Sequence, residues 1–309
     1  MRHWILIPVL LSGFGGTAPA QTVVQESGVA ATVNGEAIRL DEVDAFIKTK
    51  LSATPLTTMQ IKQLRTEVVS DLIGDVLLRQ FLRQHGPKVE AAEIDKHLKA
   101  LSESLAKRGK SLADFYRETQ QSEAQVRETW TTLLQLSGYV KQHVPDEQLK
   151  LYYQANKDQF DRVEVRVSHI MVRLGPNASP VEKAAAREKL QAVRAEIAAG
   201  RLDFAAAAKK HSQCPSAADG GDLGFILRKG MLADEAFCKA AFALKVGELS
   251  NVVECEFGVH LIRVAERKPG TASTFEKCLD DVRDQFIEDF RVELVAKLRK
   301  QAEIRITVP

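Results

Sequence analysis

Residues 163–174 read VEVRVSHIMVRL. Val163, Val165, Val167, His169 and Met171 fall on one side of a period of two, which is the pattern of a strand with a buried face. A helical pattern follows (Ala186, Leu190, Val193, Ile197), then Gly200 and a short helix over 203–210. Residues 211–225, HSQCPSAADGGDLGF, form a loop, and 237–244 a helical turn. A second strand, GVHLIRVAERK at 258–268, carries His260, Ile262 and Val264 on one face. The order β-α-α-loop-α-β predicts a compact α/β domain whose first and last strands are neighbours in one sheet.

Outside this domain the pattern is mostly helical. VAATVNGEAIRLDEVDAFI (29–47) predicts a short strand, an Asn34-Gly35 turn, a second strand and a helix from about Asp41. Ile61, Leu64, Val68, Leu72 and Val76 recur at helical spacing until Gly86-Pro87. Ile94, Leu98, Leu101 and Leu105 mark a further helix stopped at Gly109, and 111–118 and 122–143 mark two more. PDEQLKLYYQANKDQF (145–160) reads as one connecting helix. Beyond a break at 270–274, Phe275, Leu279, Val282, Phe286, Phe290, Leu294 and Leu298 form one stripe, and EIRITVP (303–309) a last strand. These terminal elements lack partners in the α/β domain. They are expected to pack on the N-terminal helices and to pair with the strand at 31–33. The fold class is therefore α+β, an α/β domain inserted into a mainly helical one built from both ends of the chain. The expected divisions are a leader at 1–20, a helical domain at 21–145, a connecting helix at 146–161, the α/β domain at 162–268 and a returning segment at 274–309.

The 309 residues are 45% apolar and 27% charged with a formal net charge of +2, which argues against a nucleic-acid-binding protein. MRHW, the apolar run ILIPVLLSGFGG and TAPA read as a secretory signal cut after Ala20. The run is too short to span a bilayer, so the mature chain is expected to be exported, to the periplasm, without a membrane span. Cys214, Cys238, Cys255 and Cys278 all lie in the last third, in no spacing that demands a disulfide framework.

His169 and His260 sit on apolar strand faces and Cys214 on the loop between them. Either they are ordinary core residues or the two rings converge on one interior with the thiol. A cysteine hydrolase would need a helix start at Cys214 and an orienting acid, and neither is evident. Zinc ligands would be closely spaced, and Gly220-Gly221 lacks the context of a phosphate loop.

The blocks RVSHIMV, DFAAAAKKHSQCPSAADGGDLGF, RKGM, FCKAAFAL, VGELSNVVE and FGVHLIRV, over about 163–267, resemble parvulin-type peptidyl-prolyl isomerases. The flanks are similar to exported foldases of the SurA and PrsA kind, in which isomerase domains join a helical chaperone domain. The resemblance implies catalysis of X–Pro rotation without a cofactor or metal. It implies a proline pocket of Leu223, Met231 and Phe237, with Cys255 beside it, and a polar side of His169, Cys214, Ser212 and His260. The implied partners are unfolded exported polypeptides containing X–Pro; the alternative is a holdase whose parvulin module catalyses weakly. Three departures stand out. Cys255 replaces a common Thr, the segment from Met231 to Phe237 is about two residues longer than usual, and Gln213 stands where an acid is common. Arg173 stands without a cluster of basic residues, which argues against phosphate-directed specificity.

Overall fold

The computed structural model describes residues 28–50, 57–175, 178–229 and 234–307. The leader expected at 1–20 and Met231 lie outside the described residues. The chain divides into two units, one made of residues up to 149 together with those from 283 onward, the other of residues 150–282.

In the first unit, β1 (Val29–Val33) and β2 (Glu36–Arg39) form a hairpin. Its two turn residues, Asn34 and Gly35, both have positive φ (50° and 86°), as the right-handed twist of the flanking strands requires. The last strand, β7 (Ile304–Ile306), pairs antiparallel with β1, Ala31 opposite Ile306, so the sheet order is β2-β1-β7. The register is pinned by Asn34, whose Oδ1 accepts from the Glu303 amide at 2.9 Å while its own amide donates to the Glu303 carbonyl at 2.9 Å.

Helix α1 (Leu40–Lys50) follows, then α2 (Thr58–His85), which opens with a Thr57–Gln60 capping box and stops before Gly86-Pro87. The buried face of α2 (Val68, Val69, Ile73, Val76, Leu77) packs on Val33, Ile38, Val43 and Ile47, and Leu298 and Ile304 from the C-terminal segment close the same core. Gly74 of α2 lets the returning helix α11 (Phe275–Arg299) approach closely; a Cβ there would lie 3.2 Å from Val295 Cγ1. Asp44, 2% exposed, is held by the Arg65 guanidinium through two hydrogen bonds of 3.1 and 3.2 Å. Helices α3 (Ala91–Ala106), α4 (Leu112–Thr119) and α5 (Glu123–His143) enclose a smaller core of Ile94, Leu98, Leu101, Phe115 and Val126.

The single helix expected over 145–160 is two helices, α6 (Asp146–Ala155) and α7 (Lys157–Phe160). Asn156 breaks it: its ψ of 24° leaves the helical range, and its side chain joins its own backbone amide in donating to the Tyr152 carbonyl.

The second unit is built on an antiparallel sheet of order β4-β3-β6-β5: β4 (Asp222–Leu227), β3 (Glu164–Arg173), β6 (Gly258–Lys268) and β5 (Val253–Cys255). The two strands anticipated from periodicity are the central pair. The edge strands β4 and β5 are additions, one beginning with the glycine-containing DLG, the other only three residues long, so neither carries a readable alternation. Helices α8 (Pro180–Ala198) and α9 (Phe204–His211) cover one face of the sheet over Ile170, Val172, Val259 and Leu261. Helix α10 (Glu235–Ala243) covers part of the other, over Val165, Val167, Ile262 and Val264. Because both faces are covered, β3 is buried continuously from His169 to Val172. Past the main body of α10, the second face carries His169, Met171, Arg173 and His260, open to the cleft except where Phe237 at the helix start stands against the histidines.

Candidate functional site

That uncovered stretch is the floor of a cleft of about 390 Å3. It is lined by His169, Met171, Arg173 and Leu174 from β3 and its end, His260 from β6, Cys255 and Phe257 from the β5–β6 hairpin, Leu223 from β4, Asp234 and Phe237 from the start of α10, and Cys214. Six of the eight anticipated site residues thus converge: His169, Cys214, Leu223, Phe237, Cys255 and His260. Met231 lies outside the described residues. Ser212 is near but does not line the cleft; its hydroxyl accepts from the backbone amides of Met171 (3.1 Å) and Cys214 (3.3 Å), tying the loop to the strand.

The histidines meet through the antiparallel register. Met171 is opposite His260 and His169 opposite Ile262, so the two rings are diagonal neighbours on one face. Their Nδ1 atoms lie 3.2 Å apart, and both residues are about 95% buried (5% and 4% exposed). One Nδ1 must donate and the other accept, so the neutral pair holds opposite tautomers. Burial pushes both rings down to about 4, aided at His169 by the neighbouring His260 and opposed at His260 by the Asp234 carboxylate. Neither Nε2 has a hydrogen-bond partner among the described residues. Phe237 stands edge-on to both rings, with centroids 5.7 Å from His169 and 5.4 Å from His260. The histidine pair is therefore uncharged at neutral pH and walled by an aromatic ring.

The Gly-Gly stretch explains how Cys214 and Leu223 reach this floor. Cys214 precedes a turn of 3-10 helix, Pro215–Asp219, where the sequence suggested a continuing loop. Pro215 stabilises that turn at its first position, because its fixed φ suits it and its missing N–H would have had no partner. Gly220 ends the turn in the left-handed region, and Gly221 (φ 84°) passes against β3 so closely that a Cβ would sit 2.2 Å from the His169 carbonyl oxygen. The His169 amide donates to Gly221 at 2.9 Å. The glycine is thus part of what fixes His169. Asp222 holds Arg166 at 2.7 Å and the Gly224 amide at 3.0 Å, an architectural role. On the other side, Gln213 donates its amide to the Met171 carbonyl (2.8 Å) and accepts from the Arg173 amide (2.7 Å), extending the sheet edge towards Cys214.

Asp234 and Phe257 were not singled out from sequence. Phe257 follows from its place beside Gly258 at the hairpin, but Asp234 reads there only as a helix cap. Its carboxylate accepts from the Phe237 amide (2.9 Å) and the Glu256 amide (2.8 Å). Burial, together with the negative charge of this carboxylate, pushes the Cys255 thiol up to about 12. All four cysteines are free thiols.

Residues 169–266, which hold the cleft and most of this sheet, match the family model of the rotamase, the PPIC-type PPIase domain, and this match marks the second unit as a peptidyl-prolyl isomerase domain. The chain carries that domain as its second unit. Over its length it is similar to the foldase protein PrsA of Clostridium botulinum (strain Loch Maree / Type A3), with 26% identity across 89% of this chain and 87% of the relative. It is also similar to the chaperone SurA of Albidiferax ferrireducens, 37% identical across 44% of this chain and 31% of that protein. The crystal structure of PrsA from Bacillus anthracis aligns with 75% of this chain and 96% of its own at 21% identity and a TM-score of 0.44.

Proposed function

We propose that this protein is a folding factor for exported polypeptides, whose second unit catalyses X–Pro rotation and whose helical unit holds unfolded client chains. The carrying observation is the cleft, in which an apolar wall and an uncharged histidine pair face the same space.

Rotation about a peptide bond meets a barrier of about 18–20 kcal/mol because conjugation holds the amide planar. No bond is made or broken, and each tenfold acceleration needs only about 1.4 kcal/mol. Leu223 and Phe237, with Met231, grip the pyrrolidine ring, and Cys255 flanks it. This dry surroundings favours the twisted amide, which has lost conjugation and the solvation that goes with it. Cys214 faces the amide as a weakly polar group and not as a nucleophile. His169 and His260 form the base beneath it, rigid because each ring fixes the tautomer of the other. Ser212 acts at one remove, through the backbone it binds. Delivery to the periplasm after cleavage behind Ala20 completes the reading; among the described residues no helix is long and apolar enough to cross a membrane.

The deciding experiment measures cis/trans exchange of a proline peptide by the full chain, with Cys214→Ala and Phe237→Ala beside it. Acceleration that falls in both variants is expected. No rate above background, with suppression of client aggregation intact, would replace this reading by the holdase one, which the thiol at position 255 favours. Sequencing the N-terminus of the periplasmic form tests the leader.

A further inference from the structure

Asp234 is the sole carboxylate among the described residues lining the cleft. It lies in the segment where this chain is longer than the pattern it resembles. As an N-cap it needs only one acceptor, for the Phe237 amide at 2.9 Å. Its second oxygen instead crosses to the β5–β6 hairpin and takes the Glu256 amide at 2.8 Å. Cys255 precedes Glu256 and lines the same cleft. Two backbone donors from two elements therefore converge on one side chain. One element carries Phe237, the other Cys255 and Phe257, and these are facing walls of the cleft.

We propose that Asp234 is a positioning residue of the isomerase: its carboxylate fastens the start of α10 to the β5–β6 hairpin, and so sets Phe237, Cys255 and His260 at the separation that grips a proline ring. The proposal rests on the site reading above and deepens it. Helix α10 and the hairpin otherwise meet through apolar packing of Phe237, Cys238, Ala241, Val253 and Cys255, which tolerates sliding. Hydrogen bonds to an ionised acceptor are shorter and stronger than neutral ones and fix direction as well as distance.

The carboxylate also has an electrostatic effect on the pair. The titratable and charged groups that share the cleft with the histidines are Arg173 on β3, Cys214 on its loop, Cys255 on β5 and Asp234 at the start of α10. Of these, Asp234 alone brings negative charge, and its own pKa is lowered by the amides it accepts from, so it stays ionised where the histidines begin to titrate. Its charge favours the protonated form of His260 and so opposes the depression that burial imposes on that ring. The singly protonated pair keeps its bond, with the cationic ring donating from Nδ1 and the neutral one accepting; a second proton removes the acceptor and breaks the pair.

The test uses the full chain with Asp234→Ser and Asp234→Asn. Serine is a good N-cap but cannot span to Glu256, and asparagine keeps the shape but loses the charge and one acceptor. If Asp234 only caps α10, Asp234→Ser has wild-type kcat/KM. The positioning role predicts a loss of about tenfold in kcat/KM in both variants, mostly in KM, because one charge-assisted bond is removed. It also predicts that the acid limb of the pH–rate profile moves to lower pH in Asp234→Asn. Carbon-13 NMR of labelled histidine gives a readout independent of catalysis: the His260 midpoint should fall in Asp234→Asn. Wild-type kcat/KM in Asp234→Ser, or an unmoved His260 midpoint in Asp234→Asn, overturns the proposal. A wild-type chain without isomerase activity but with the midpoint shift would refute the catalytic reading and leave the coupling of Asp234 to His260 standing.

Discussion

Acid should loosen the isomerase unit through its histidine pair before most carboxylates have titrated. Both rings are depressed from 6.5 to about 4. Between those values the unfolded chain binds more protons than the folded one, so stability rises with pH across the window. The contribution is fully present above 6.5 and is lost as pH falls towards 4. A single ring shifted this far contributes roughly 3 kcal/mol at neutral pH. The second ring adds less, because the two share one hydrogen bond and a charge on either opposes a charge on the other. A loss of about 3 kcal/mol is a large part of the roughly 5–15 kcal/mol that holds an ordinary domain folded. Hydrogen exchange of β3 and β6 peptides at pH 7.5, 5.5 and 4.5, corrected for intrinsic rates, reads the local opening free energy. His260→Gln should remove less than half of the wild-type fall, because His169 alone retains the larger share. Equal falls in the wild type and in a His169→Gln/His260→Gln double variant would refute the argument, and would assign the acid sensitivity to surface carboxylates.

Gly221→Ala should cost more than about 2 kcal/mol and abolish activity, since its Cβ would meet the His169 carbonyl at 2.2 Å. Gly224→Ala, also at positive φ but with open space around it, should cost only about 1 kcal/mol; thermal unfolding compares them. Arg65→Ala strands the buried Asp44 carboxylate and should destabilise the helical unit by roughly 3–5 kcal/mol, measured by urea unfolding followed at Trp130. Truncation after Lys300 removes β7 and should expose β1 to edge pairing, seen as concentration-dependent association in analytical ultracentrifugation.

Much of this architecture is written in periodicity. The central strands and their histidines were legible because a period of two survives where one face is apolar, as at Val165, Val167, Ile262 and Val264. The return of the chain to β1 was legible for a different reason: an unpaired stripe and strand needed a partner. The edge strands were hidden because DLG and VEC are too short to show a period. The helical turn after Cys214 was hidden because Pro215 serves a loop and a helix start equally well. Ser212 was placed with the polar residues by resemblance, and its hydrogen bonds to Met171 and Cys214 depend on where the loop crosses the strand. Asp234 was the least visible. A cap that serves one helix and a carboxylate that joins two elements read identically, and only the fold brings Glu256 within reach.

The pairing of β1 with β7 also orders events during synthesis. The isomerase unit is one unbroken stretch and has all its strands once β6 has left the ribosome. The helical unit begins first and finishes last, because Leu298 and Ile304 complete the core that Val33 and Ile38 begin. Throughout translation, the surface between β1 and α2 stays without its closing strand while the prolyl isomerase beside it in sequence is already formed. The helical unit is therefore the later of the two to close, and for that interval it is an unfinished core with a formed isomerase domain in the same chain.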